Sequence, residues 1–226
     1  MRTLLLLVLI GGCSSPANAK ILCALGDSVT AGYRAPGETV ALPPPAALES
    51  LLRRAARGHP WRFARVRNFG VSASWTGEWL SQPPSAMICD NPWLLALPHV
   101  RYACDRATPL LEGVFSTHPR CDGWVILLGL NDWLGSITVD QSVDNLAALA
   151  AQLPGSVWIG APSHVTNAAI DYRRALLRNA LYARGLLTGI DPPLLPLLPD
   201  GIHPDDAGAA ALGGLWFGVL CDVNPR

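Results

Sequence analysis

The sequence predicts an α/β domain in which a parallel sheet of five strands carries helices on both faces. Short apolar runs of strand length alternate with longer segments whose apolar residues recur at helical spacing. This alternation favours a parallel sheet, because parallel neighbours need a crossover connection, which is usually a helix. Polar, turn-forming blocks follow several apolar runs, at the edge where open α/β sheets bind ligands.

The first 19 residues precede this domain and predict an export signal. A positive residue and an apolar core lead to Ala17-Asn18-Ala19, which predicts cleavage before Lys20. The apolar core is far shorter than the roughly 20 residues of a membrane-spanning helix, so no membrane span is predicted. A competing site at residues 10–13 resembles a bacterial lipobox, which would make residues 1–12 the signal and leave a lipidated Cys13. We therefore expect an extracytoplasmic protein, periplasmic or secreted, with a membrane-anchored lipoprotein as the alternative.

The predicted domain covers residues 20–226, and its elements follow in order. The apolar runs predict strands at 21–26, 63–69, 123–129, 156–161 and 187–191. Helices are predicted at 46–56, 109–115, 139–152, 167–184 and 205–220. In the helix at 167–184, Asn167 is a suitable cap and Ile170, Leu177 and Leu181 recur at helical spacing.

Residues 81–120 interrupt the alternation and are rich in Pro, Trp and Cys, which predicts an insertion beside the cleft. Within it, Cys89 and Cys104 form the preferred disulfide, which would stabilise the chain by roughly 3 kcal/mol. Cys23 lies in the first predicted strand and is interpreted as a small buried apolar residue. The chain has no CxxC pair and no HExxH motif, so neither a metal nor another cofactor is predicted.

The charge balance excludes one class of partner. Lys and Arg total 17, as do Asp and Glu, and no basic run is present. Binding to nucleic acid is therefore not expected, because it depends on clustered positive charge that neutralises phosphates. We expect a monomer whose partner is a small molecule.

Four short blocks contain residue types that together supply acyl-transfer chemistry. They are Gly26-Asp27-Ser28, Asn68-Phe69-Gly70, Gly129-Leu130-Asn131-Asp132 and Asp200-Gly201-Ile202-His203. A serine nucleophile needs a base, and the base needs a partner that fixes its tautomer. Ser28, His203 and Asp200 fit these three roles. The backbone N–H groups of Ser28 and Gly70 and the side-chain amide of Asn131 would hold the oxyanion.

Each block also has a simpler interpretation. Gly-Asp-Ser after an apolar run is commonly only a turn, since all three residues favour turns. Asp205 and Asp206 compete with Asp200 as the orienting acid, although acids there also suit the first turn of a helix. Of the other histidines, His59, His99 and His118 are interpreted as structural or solvated. His164 follows a predicted strand on the same rim and is a candidate cleft residue.

The blocks resemble those of the SGNH hydrolase superfamily, which includes the GDSL esterases and lipases. Residues 24–33, ALGDSVTAGY, are similar to the family's first block, and residues 200–204, DGIHP, followed by Gly208, are closer still. Val29 stands where the family name has leucine, a position that carries no chemistry. The resemblance covers nearly the whole predicted mature chain and implies a flavodoxin-like three-layer α/β/α sandwich. It also implies a Ser28, His203, Asp200 triad with an oxyanion hole at Ser28, Gly70 and Asn131.

The substrate is less defined by the sequence. Trp75, Trp79, Trp93 and Trp133 lie in or near the rim segments, where they would bind acyl chains, stack on sugar rings or simply pack. We expect an exported serine esterase acting on carboxylic esters of the short to medium acyl, lysophospholipid or acyl-thioester type through an acyl-enzyme. The alternatives are an O-acetyl carbohydrate esterase and a catalytically silent carbohydrate-binding domain, because a fold does not determine function.

Overall fold

The computed structural model describes residues 20–35, 37–55, 63–118 and 120–222. The predicted export signal, the alternative lipidation site at Cys13 and His59 all lie outside these residues. In chain order the described elements are β1 (Lys20–Gly26), α1 (Ser28–Ala31), β2 (Tyr33–Ala35), β3 (Glu38–Thr39), α2 (Pro44–Ala55), β4 (Phe63–Gly70), α3 (Thr76–Leu80), α4 (Ala86–Cys89), α5 (Pro92–Leu95), α6 (Pro98–Arg106), α7 (Leu110–Thr117), β5 (Gly123–Leu127), a 3-10 helix (Leu130–Trp133), α8 (Val139–Gln152), β6 (Ser156–Ile159), α9 (Ala168–Ala183) and α10 (Asp206–Asp222).

Four parallel strands form the central sheet in the order β4, β1, β5, β6, so β1 has a neighbour on each side. Successive residues of β1 face opposite sides of the sheet. Cys23 and Leu25 pack in an apolar cluster with residues of α3 and α6 to α9. Leu22 and Ala24 pack in a second cluster with residues of α2 and α10. Helices therefore cover both faces, and the predicted three-layer α/β/α sandwich is confirmed.

The prediction of a fifth strand at residues 187–191 is wrong. This segment does run beside β6, since Gly189 N–H donates to Ile159 O and Ala161 N–H donates to Ile190 O, both at 2.8 Å. In a regular parallel pair, one residue of a strand both donates its N–H and accepts with its C=O across the ladder. Here Gly189 donates but the next residue, Ile190, accepts, so the regular pairing is broken. The described sheet therefore ends at β6.

Residues 81–120, predicted as an insertion, fold mainly into α4 to α7. Cys89 at the end of α4 forms a disulfide with Cys104 of α6, the pairing preferred from the sequence. Val100 of α6 and Leu110 of α7 are fully buried in the cluster that covers one face of the sheet. In contrast, α5 buries none of its residues. Much of the segment thus belongs to a helical layer of the domain, and α5 is its exposed part.

Cys23 is not a lone buried residue, as its sequence context suggested, because it forms a second disulfide, with Cys121. The two Cα atoms are 5.9 Å apart, and Cys23 is fully buried. Leu22 of β1 pairs with Gly123, the first residue of β5. Cys121, just before β5, therefore lies next to Cys23 in β1. This proximity depends on the strand order, which local sequence does not show.

Candidate active site

The turn between β1 and α1 holds Ser28 at the carboxyl edge of the sheet. Ser28 is the first residue of α1, and Asp27 caps that helix by accepting the Val29 N–H at 2.9 Å on Oδ1. Gly26 is required at the preceding position, because a Cβ there would overlap the side chain of Thr30. This tight turn fixes the position of Ser28, which is only 7% exposed.

The structure brings Ser28, His203 and Asp200 together in one hydrogen-bonded chain. His203 Nε2 lies 2.8 Å from Ser28 Oγ, and His203 Nδ1 lies 2.7 Å from Asp200 Oδ2. The other oxygen of Asp200 accepts the backbone N–H groups of Ile202 at 2.9 Å and His203 at 3.0 Å. Burial by itself would raise the pKa of Asp200, but the hydrogen bonds from His203 and Ile202 outweigh it and hold that pKa below its ordinary value. The carboxylate is thus ionised at neutral pH and suited to accept Nδ1–H.

The competing acids have other partners. Asp205 Oδ1 accepts the Gly208 N–H at 2.8 Å, and Asp206 Oδ1 accepts the Ala41 N–H at 2.8 Å. Both lie at the start of α10, as expected for acids in a first helical turn. His99, one of the histidines interpreted as structural, is buried against Phe69, and burial lowers its pKa to about 4. Of these three acids, Asp200 is therefore the one in contact with His203.

A carboxyl group that the sequence did not single out lies next to Ser28. Asp27 is 2% exposed. Burial raises its pKa from 3.8 to about 7, partly offset by the hydrogen bond from Val29 N–H and reinforced by the charge of Asp132. Asp27 therefore carries a proton in a large fraction of molecules at neutral pH.

Asn131 lies in the 3-10 helix that follows β5, after Gly129 with a φ of 106°. Its Nδ2 donates one hydrogen to Ser74 O at 3.2 Å, which leaves the second amide hydrogen for another acceptor. The neighbouring Asp132 is fully buried and accepts Thr76 N–H at 2.8 Å and Thr76 Oγ1–H at 2.9 Å. The loops after β4 and β5 are thereby joined, and Asp132 positions them.

Gly70 has a different hydrogen bond from the one that the sequence suggested. Its N–H donates to Asn68 Oδ1 at 2.9 Å and so has an acceptor inside its own loop. A Cβ at Gly70 would overlap the backbone N of Ala31, so glycine permits the end of β4 to pack against α1. The structure thus gives Gly70 a packing function beside Ser28.

Ala73, three residues further on, was missed by the sequence analysis. It has a φ of 65°, in the left-handed region that non-glycine residues seldom adopt. Such strained residues concentrate at functional sites. Among the described residues, the N–H groups of Ala73 and Ser28 have no hydrogen-bond acceptor. An alanine gives no sign in the sequence of a left-handed conformation, so only the structure reveals this feature of Ala73.

The candidate cleft residues fall into different environments. Trp79 is corrected to a core residue, since it is fully buried and its Nε1–H donates to Ser74 Oγ at 3.0 Å. Trp75 is half-buried, and Trp133 is 46% exposed beside Asn131. His164 is half-buried, and its Nδ1 lies 3.0 Å from Asp171 Oδ1, so it has a carboxylate partner apart from the triad.

A pocket of about 380 Å³ opens beside the triad. Tyr33 lines it and packs against the ring of His203, with 4.7 Å between the ring centroids. Trp93, Leu94 and Leu97, in and just after α5, also line it. The pocket therefore joins the exposed part of the 81–120 segment to the catalytic histidine candidate.

Two kinds of feature are absent from the described ranges. No helix there combines the length and the apolar character needed to cross a membrane. No group of three or more His, Cys, Asp or Glu side chains there is arranged to hold a metal ion.

No protein-family model matches the chain, and no curated protein matches it in sequence, but solved structures resemble it. A carbohydrate acetylesterase family member from Sinorhizobium meliloti matches with a TM-score of 0.63 and 22% identity, over 89% of this chain and 97% of that one. The inhibitor-bound aryl esterase of M. smegmatis matches with a TM-score of 0.60 and 17% identity, over 91% and 98%. A protein of Desulfitobacterium hafniense DCB-2, assigned to the G-D-S-L family of lipolytic proteins, matches with a TM-score of 0.55 and 17% identity, over 88% and 99%. Likeness at these identities establishes the fold, and the chain therefore has the fold that these three proteins share.

Proposed function

We propose that the chain is a serine esterase that hydrolyses carboxylic esters through an acyl-enzyme. The observation that carries this proposal is the hydrogen-bonded chain from Ser28 Oγ through His203 to Asp200. The distances of 2.8 Å and 2.7 Å lie within the range that proton transfer and tautomer control require. The likeness in fold to aryl and carbohydrate acetyl esterases supports the same reaction class.

In the first half of the proposed reaction, Ser28 Oγ attacks the ester carbonyl while His203 Nε2 takes the hydroxyl proton. Asp200 holds Nδ1–H and stabilises the imidazolium that forms. The bond between the former carbonyl carbon and the alcohol oxygen then breaks, and His203 returns the proton to that leaving oxygen. In the second half, water attacks the acyl-enzyme by the same proton transfers and releases the acid and free Ser28.

For the oxyanion we propose three donors, the backbone N–H groups of Ser28 and Ala73 and the second Nδ2 hydrogen of Asn131. Ala73 takes the place of Gly70, whose N–H has an acceptor in Asn68. The loop of Ala73 reaches Asn131, because Ser74 O accepts the Asn131 amide. The three donors follow β1, β4 and β5, which are adjacent strands in the sheet.

The first test is hydrolysis of p-nitrophenyl acetate, butyrate, octanoate and palmitate. Ser28→Ala should remove nearly all turnover, and Asn131→Ala should lower kcat by about 10² to 10³, the effect of one oxyanion donor. An optimum at short chains would favour short acyl esters or the O-acetyl carbohydrate alternative, and one at long chains a lysophospholipid or acyl-thioester substrate. Equal rates for wild type and Ser28→Ala, with both folded, would refute the esterase.

We also propose that the chain is exported. The disulfides Cys23–Cys121 and Cys89–Cys104 support this, because disulfides persist in oxidising compartments. Fractionation and mass measurement of the full chain expressed in bacteria test it. Cleavage before Lys20 would give the soluble form, whereas a lipidated mass abolished by Cys13→Ser would give the anchored form. An uncleaved cytoplasmic chain would contradict both.

A further inference from the structure

The pocket beside the triad is mainly apolar and partly open. Ala31, Ala35, Pro43, Trp93, Leu94 and Leu97 contribute its apolar wall. Trp93 is 61% exposed although it belongs to this wall, so a ligand that covered the indole would remove apolar surface from water. A volume of about 380 Å³ falls within the range of small-molecule sites, roughly 300 to 1,000 Å³.

Contacts on two sides fix the position of Trp93 in the pocket wall. The indole of Trp93 packs on the turn between β2 and β3, where a Cβ at Gly37 would approach the ring to 2.9 Å. The disulfide Cys89–Cys104 joins the helices on either side of α5. Trp93 is therefore held between the hairpin and a cross-linked segment rather than carried on an unattached loop.

The position of Tyr33 indicates which half of an ester the pocket would receive. Tyr33 lines the pocket and packs on His203, the group that would return a proton to the leaving alcohol oxygen. Of the described residues that line the pocket, none belongs to the 3-10 helix that carries Asn131. The pocket thus adjoins His203 through Tyr33 and the Ala73 loop through Ser72, and it has no described lining residue from the segment of Asn131.

We propose that this pocket binds the apolar alcohol half of the ester, aliphatic or aromatic, with Trp93 and Leu97 as specificity-determining residues. This proposal rests on the esterase function proposed above. The acyl group then lies outside the pocket, and selectivity for the alcohol varies independently of selectivity for the acyl chain.

The test compares ethyl, phenyl and 2-naphthyl acetate in a pH-stat, with wild type, Trp93→Ala and Leu97→Ala. The matched control is Met87→Ala, an exposed apolar residue of α4 that does not line the pocket. Trp93→Ala should lower kcat/KM for 2-naphthyl acetate by about tenfold, and Leu97→Ala by severalfold, typical of lost apolar contacts in a substrate pocket. Ethyl acetate should change by less than twofold, and Met87→Ala should leave all three esters unchanged.

Three results would overturn the proposal. They are an equal loss on ethyl and 2-naphthyl acetate, a loss that grows with acyl length across the p-nitrophenyl series, and an equally large loss on a sugar acetate. Calorimetric binding of 2-naphthol to the Ser28→Ala protein provides a readout that needs no turnover. If no ester is hydrolysed but Trp93→Ala weakens naphthol binding about tenfold, the esterase fails and the pocket stands. If Trp93→Ala leaves naphthol binding unchanged, the pocket proposal fails whatever the activity.

Discussion

Ser28 is nearly buried, and its hydroxyl reaches His203 because its neighbours constrain the turn on which it sits. Gly26 allows the close approach of Thr30, and Asp27 caps the helix that Ser28 begins. Gly70 permits the neighbouring strand to pack against Ala31, near the end of the same short helix. The position of Ser28 thus depends on glycines that have no reactive side chain.

At the residue scale, Gly70→Ala should destabilise the chain by roughly 1 to 3 kcal/mol, the usual cost of overpacking. The added Cβ would overlap the backbone of Ala31, and relief requires α1 to move, so kcat should fall as well. Gly214→Ala in α10 is the matched control, because a Cβ there has open space and should stabilise the helix by up to about 1 kcal/mol. Urea unfolding and ester hydrolysis measure both effects. Equal stability changes in the two variants would contradict this account of Gly70.

The residues of the site differ in how far the sequence predicts them. Ser28, Asp200 and His203 lie in blocks whose residue types match the needs of acyl transfer, and the structure places them in contact. For Gly70 and Ala73 the sequence was less informative, because it could not show that Gly70 N–H has an acceptor in Asn68 or that Ala73 adopts a left-handed conformation. Neither feature can be read from the neighbouring residues, because both depend on how the loop folds.

At the scale of elements, helices with local end signals were predicted well. Val139–Gln152 has the predicted limits, since Thr138 and Gln141 form a capping box, and Asn167 caps α9. The fifth strand failed because its pairing depends on the register against β6, which local composition does not encode. The hairpin of β2 and β3 was missed, because strands of three and two residues show no measurable period.

The two disulfides join elements over different chain lengths and should stabilise unequally. Cys23 and Cys121 are 98 residues apart, whereas Cys89 and Cys104 are 15 apart. The loop-closure entropy predicts that the free energy of unfolding falls by about 5 kcal/mol in Cys121→Ala and by about 3 kcal/mol in Cys104→Ala. Unfolding in urea without reductant measures both losses, and added reductant should bring the wild type towards the variants. A smaller loss for Cys121→Ala than for Cys104→Ala would refute this ranking.

At the scale of the whole molecule, two buried groups make opposite contributions to the pH dependence of folding. Burial raises the pKa of Asp27 from 3.8 to about 7, so its contribution to stability is full below 3.8 and is lost as the pH rises through 7. Burial, with a smaller effect from His118, lowers the pKa of His99 from 6.5 to about 4. The contribution of His99 is therefore full above 6.5 and is lost as the pH falls through 4.

Asp27→Asn should therefore remove the loss of stability on the alkaline side. At about 1.4 kcal/mol per pH unit, the shift of Asp27 corresponds to at most about 4 kcal/mol. The difference in unfolding free energy between wild type and Asp27→Asn should change by an amount of this order between pH 4 and pH 8. His99→Gln is the control of opposite sign. Its difference in unfolding free energy from wild type should change as the pH falls from 7 to 4. A difference for Asp27→Asn that does not vary with pH would show that folding does not raise the pKa of Asp27.

The direction of β1 has a consequence for how the chain would face a surface to which it was attached. The strand runs from Lys20 to Gly26, about 20 Å at roughly 3.3 Å per residue, and Ser28 follows at its far end. Lys20 and Ser28 thus lie at opposite edges of the sheet. A chain tethered to a surface through its N-terminus would present Ser28 and the pocket beside it outward, to molecules arriving from the surrounding medium rather than from that surface.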